Sequence, residues 1–131
     1  MYKFALNKIK AISGKQQFYD LLIDGVSQHE QFISEIENNK QYYSEHKTIL
    51  SYMDHVANLK RILPKKKFRN ITPSKENIKE YEFKSEHLRA YVFHLEKTGK
   101  IVTLWGYKNS QKKDLKKFRA FKKLYIESLQ S

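Results

Sequence analysis

The chain has 131 residues, a length suited to one domain with a real core, since 40% of them are hydrophobic. Gly (4) and Pro (2) are scarce and Cys is absent, which argues against a disordered chain and excludes disulfide and thiolate chemistry. The net charge of +12 is lopsided: residues 1–59 hold six Lys against seven acids, or −1, whereas residues 60–131 hold twenty Lys or Arg against seven acids, or +13. Such an asymmetry points to a polyanionic partner, nucleic acid above all. The Met1-Tyr2-Lys3-Phe4 start lacks the apolar stretch of a signal peptide, and no apolar run nears the roughly 20 residues of a membrane span. A soluble, cytoplasmic protein without membrane contact is expected.

In chain order, Tyr2 to Ile9 alternates and predicts a short strand, broken at Ser13-Gly14. From Lys15 to about Leu63 the pattern predicts two or three helices. Phe18, Leu21, Leu22 and Gly25 share one face, and Phe32, Ile33 and Ile36 form another stripe. Asn38-Asn39 interrupts, and Tyr42, Tyr43, Ile49, Leu50, Met53, Val56, Ala57 and Leu59 or Lys60 continue, with Pro64 as the stop. Lys65 to Lys79 reads as a basic loop. Then Tyr81–Lys84, Leu88–Leu95 and Ile101–Tyr107 predict three strands, with Thr98-Gly99 as a hairpin turn. Ser110 is a candidate N-cap, and Leu115, Phe118, Leu124, Tyr125 and Leu129 repeat at helical spacing to the end. The expected fold class is α+β: an N-terminal strand, helices, a three-stranded antiparallel meander with one face covered by helices, and a basic C-terminal helix.

The stretches Tyr81-Glu82-Phe83-Lys84, Leu88-Arg89-Ala90-Tyr91-Val92-Phe93 and Ile101-Val102-Thr103-Leu104-Trp105-Gly106-Tyr107-Lys108, then Gln111-Lys112-Lys113-Asp114, resemble in order the pattern of RelE/HigB-type toxins. The resemblance covers about residues 78–128; residues 10–63 are longer than is usual there. It implies a RelE-like fold and a metal-independent mRNA endonuclease, the toxin of a toxin–antitoxin system, often acting on translating ribosomes. No cofactor or metal is expected. The implied partners are mRNA, ribosomal RNA and a cognate antitoxin, for which a helix-turn-helix protein is expected. Two rival readings are a non-catalytic nucleic-acid-binding module and a ParE-like toxin that inhibits a topoisomerase.

RNA cleavage without a metal needs a base for the 2′-hydroxyl, an acid for the leaving 5′-oxygen and cations for the phosphate. Strand alternation places Arg89, Tyr91 and Phe93 on the face opposite Leu88, Ala90 and Val92, and thus on the expected open face. The resemblance implies that Arg89 contacts the scissile phosphate. Lys84 shares that parity and matches a basic family position, and Lys108 matches a family lysine. Tyr107, at a strand end, suits base stacking or proton transfer. Glu82 more often orients an arginine than acts as a base. His94 has the parity of Val92, a core position, but suits general-base work, as does His87 in the turn before Arg89. His29, His46 and His55 read as surface. Tyr91 and the cations Lys112, Lys113, Lys116, Lys117 and Arg119 are the expected RNA-binding set, with Lys122 and Lys123 beside them and Lys65-Lys66-Lys67 and Arg69 extending the footprint.

Overall fold

The computed structural model describes residues 1–59 and 62–130, so the expected helical position at Lys60 lies outside the described residues. The elements are β1 (Phe4–Lys8), β2 (Phe18–Ile23), β3 (Val26–Ser27), α1 (Gln28–Ile36), α2 (Lys40–Ala57), β4 (Phe68–Asn70), β5 (Glu80–Lys84), β6 (Leu88–Leu95), β7 (Gly99–Tyr107) and α3 (Gln111–Leu129), the last entered through a 3₁₀ turn at Lys108–Ser110. The α+β expectation holds, and so do the N-terminal strand and the C-terminal helix. The sheet, however, is not a three-stranded meander but a mixed sheet of seven strands in the order β1-β2-β7-β6-β5-β4, with β3 paired to β2. All pairings are antiparallel except β2 with β7, where Phe18 faces Lys100 and Asp20 faces Val102.

The largest correction lies at Phe18–Ile23, expected as helix and found as strand. Phe18, Leu21, Leu22 and Ile23 fit a helix stripe as well as a strand, because a short run with apolar residues on both sides has no periodicity that separates the two. Phe18 packs towards α2 while Leu21 and Ile23 pack towards α3. Asp24-Gly25 then reverses the chain with φ of 51° and 82°, the positive pair that a two-residue hairpin turn requires. Ser27 caps α1 by accepting from the Glu30 N–H, and Asn39 caps α2 by accepting from the Tyr42 N–H. The second helix stops at Ala57, not at Pro64, with Leu59 in the left-handed region (φ 56°). The expected loop at 65–79 contributes β4, an edge strand on β5. The hairpin at Thr98-Gly99 is as expected.

Helices cover both sheet faces rather than one. On the first, Phe32 and Ile36 of α1 and Ile49, Met53 and Ala57 of α2 bury Phe83, Leu88, Ala90, Val92, Val102 and Trp105. On the second, Phe118 and Tyr125 of α3 bury Leu21, Tyr91, Phe93, Ile101 and Leu104. No helix among the described residues is long and apolar enough to cross a membrane.

Basic α3 stays on the sheet because β5 turns two buried carboxylates towards it. Glu80 accepts from Arg119 Nε at 2.9 Å and from Lys122 Nζ at 2.7 Å, while Lys122 also donates to the Ile78 carbonyl and Arg119 to that of Ile71. Glu82 accepts from Gln111 Nε2 at 2.8 Å and from Arg69 at 3.1 Å. Lys122 and Glu80 are almost wholly buried, at 3% and 2% exposure. Removing one partner strands the other charge, so Glu80→Ala is expected to cost about 3–5 kcal/mol in urea unfolding. Glu80→Leu combined with Lys122→Met is expected to recover most of it.

Candidate functional site

The candidate site lies at one end of the sheet, where β5 and β7 finish and β6 begins. Arg89 sits there at 6% exposure. Its Nη1 donates to the carbonyls of Ser85 at 2.7 Å and Leu88 at 2.8 Å, and its buried Nε has no partner among the described residues. No described carboxylate lies within ion-pair distance of it; Glu82, the expected partner, is taken by Arg69 and Gln111. Arg89 is thus a nearly buried cation, fixed in direction by two carbonyls. It does not stand on an open sheet face as expected, because α3 covers that face.

Beside it, the Ser85–His87 turn folds onto Glu45 of α2. Glu45 Oε1 accepts from the Ser85 hydroxyl at 2.5 Å and from the His87 backbone N–H at 2.7 Å. Glu45 Oε2 lies 2.6 Å from His87 Nδ1 and accepts from Gln41 at 2.8 Å. Burial pushes the Glu45 carboxyl up, but the hydrogen bonds from His87, Ser85 and Gln41 outweigh it and hold the group at about 2. A carboxylate ionised at any working pH therefore orients the imidazole through Nδ1–H. That leaves Nε2 on a side chain 42% exposed. Ser85 joins the two halves of the site, its hydroxyl on Glu45 and its carbonyl on Arg89. Glu45, Glu86 and His87 offer three ligand atoms within 4.8 Å of one another, but the Glu45 oxygens already accept four hydrogen bonds. That donor set suits a positioning carboxylate better than a metal ligand.

The other expected site residues divide. Lys84 is the register partner of Arg89, and the Lys108 backbone N–H donates to the His87 carbonyl at 2.8 Å, so both belong to this end of the sheet. Tyr107 ends its strand there but on the opposite face, its ring against Phe32 and Tyr42 and its hydroxyl donating to Glu35 at 3.2 Å. Burial and the Glu35 carboxylate push this phenol up to about 12, which keeps it protonated near neutrality and unsuited to act as a base. His94 lies at the far end of β6, 3.3 Å from Lys100 Nζ, and takes no part in the site. Tyr91 is fully buried against Phe118 and presents no ring to RNA. Arg119 and Lys122 turn inward to Glu80, whereas Lys112, Lys113, Lys116, Lys117 and Lys123 are exposed. Glu45 escaped the sequence reading because nothing in the chain links position 45 to position 87.

His29 and His46, expected at the surface, instead meet between α1 and α2 with their Nε2 atoms 2.6 Å apart, and His29 stacks on Trp105 at 4.8 Å. Burial, then the neighbouring His46, holds His29 down at about 4, and burial lowers His46 as well. These groups are neutral when folded and protonate at 6.5 when unfolded. The stability they permit is therefore complete above pH 6.5 and declines as the pH falls towards about 4. Thermal melts followed by Trp105 emission are expected to show a falling Tm across that window. His29→Phe, which keeps the stack and loses the proton site, is expected to shrink the fall.

Comparison with protein-family models, curated proteins and solved structures finds no match to this chain.

Proposed function

We propose that this protein is a metal-independent endoribonuclease of the RelE/HigB toxin type, working at the end of its sheet. The observation that carries the reading is Arg89: a guanidinium 6% exposed, aimed by two carbonyls, with a free Nε and no carboxylate partner among the described residues. Burying a cation without a counter-charge is costly, and a phosphodiester entering beside the turn supplies that charge. His87 supports the chemistry. With Nδ1 on Glu45, its Nε2 takes the proton from the 2′-hydroxyl, and O2′ attacks phosphorus as the bond to O5′ breaks. The ammonium of Lys84 or Lys108 protonates the leaving oxygen, giving a 2′,3′-cyclic phosphate and a 5′-hydroxyl end. The exposed lysines of α3 dock the protein on ribosomal RNA, and an antitoxin silences it by covering this basic surface.

Induced expression with mapping of mRNA ends tests the reading. Wild type is expected to create new 5′-hydroxyl ends. His87→Ala is expected to lower their yield by about 10²–10⁴-fold. Arg89→Ala is expected to lower it by about 10²–10³-fold with Tm checked in parallel. Purified protein that binds RNA yet leaves it intact in the presence of ribosomes would overturn the proposal in favour of a binding module. Inhibited supercoiling without mRNA loss would overturn it in favour of a topoisomerase-directed toxin.

A further inference from the structure

We infer that the cleft between α1 and α3, on the other side of β7 from His87 and Arg89, binds a single unpaired nucleotide of the RNA strand. The inference rests on the ribonuclease reading above for its biological use, but not for its geometry. The cleft follows from the topology. Strand β2 pairs with β7 only as far as Asp20 opposite Val102, and its remainder pairs with β1 and β3. From Thr103 to Tyr107, β7 therefore has a strand partner on the β6 side alone. The flanking helices lie on opposite faces of the sheet, so they wall this edge instead of closing it. The result is a cleft of about 260 Å³ with Gln28, Gln31 and Glu35 from α1 on one wall, Lys113 and Lys117 from α3 on the other, and Trp105 lining it.

Those walls carry the groups that a nucleotide needs. The two carboxamides donate and accept, as the edge of a base does, and the carboxylate of Glu35 accepts. Lys113 and Lys117 lie four residues apart on one helix face, both exposed, and present two ammonium groups to one phosphate. Trp105 brings an indole 5% exposed whose buried Nε1 has no partner among the described residues, a donor left over from core packing. Gly106 leaves room for Asp114, which also lines the cleft and whose carboxylate accepts from the Ser110 hydroxyl at 2.5 Å. Position favours the same ligand. Tyr107 lines the cleft and is the register partner of Leu88, so the cleft and the Arg89 end are separated by the width of one strand. The cleft and the Arg89 end thus flank the same end of β7 from its two sides, which suits the cleft to a base near the cut.

Trp105 is the sole tryptophan, which makes it the reporter. Titration of the purified full chain with AMP, GMP, CMP and UMP in turn, against inorganic phosphate alone, is expected to give saturable change in Trp105 emission for nucleotides with unequal affinities. Lys117→Ala, an exposed change that leaves the core intact, is expected to weaken all four about equally, by about five-fold, and to flatten the salt dependence by about one unit of log–log slope. Gln31→Ala is expected to alter the ranking of the four bases, and in mapped mRNA ends to change the base preferred beside the cut. Phosphate matching the nucleotides, no saturable response from any nucleotide, or Gln31→Ala weakening all four alike would overturn the inference. Nucleotide binding with no RNA cleavage by wild type would leave the cleft standing and remove the ribonuclease. Cleavage with base preference unchanged in Gln31→Ala would do the reverse.

Discussion

The arrangement of the molecule turns on the two carboxylates that β5 holds beneath α3. A helix carrying seven Lys and Arg residues has little reason to settle on an apolar sheet, and its own cations repel one another. Glu80 and Glu82 change that by taking Arg119, Lys122 and Gln111, and they sort the helix into an inner set of groups that dock it and an outer set of lysines that remain available. Excess positive charge is thus partly architectural. Reading every cation of a basic helix as a nucleic-acid contact overstates the footprint.

Closing that face also decides where chemistry can happen. With helices on both sides, side chains from the strand centres are core. The positions that can meet a ligand are those at the strand ends and in the turns between them. Arg89 and His87 fall at such an end. They reach it from different directions, the arginine along β6 and the histidine through a turn pinned by Glu45, and Ser85 fixes one to the other. Rigid backbone holds both groups, and neither depends on a flexible surface side chain for its aim.

The central strands were legible because their aromatic and β-branched residues alternate and Thr98-Gly99 marks the turn; α3 was legible from its 3.6-residue stripe. The double coverage was also written in β6, where Leu88, Ala90 and Val92 and the interleaved Tyr91 and Phe93 are all apolar. Such a run on both parities belongs to a strand buried on both faces. Asp24-Gly25 was the neglected sign that Phe18–Ile23 is a strand, since that dipeptide favours a two-residue hairpin. Other features had no local signature. A three-residue strand such as β4 is defined by its partner, and the His87–Glu45 and His29–His46 pairs join positions 42 and 17 apart that only packing brings together.

The parallel pairing of β2 with β7 has a consequence for how the chain matures. Phe18 must wait for Lys100 before it acquires its neighbour, so the first hairpin emerges during synthesis with its border at Phe18–Asp20 unfilled. Contacts this distant in sequence slow folding and leave a strand border exposed to other chains meanwhile. Nascent polypeptides that stop short of β7 lack the element that joins the two halves of the sheet. Completion of the fold, and of any activity that depends on it, is therefore tied to the synthesis of residues 99–107.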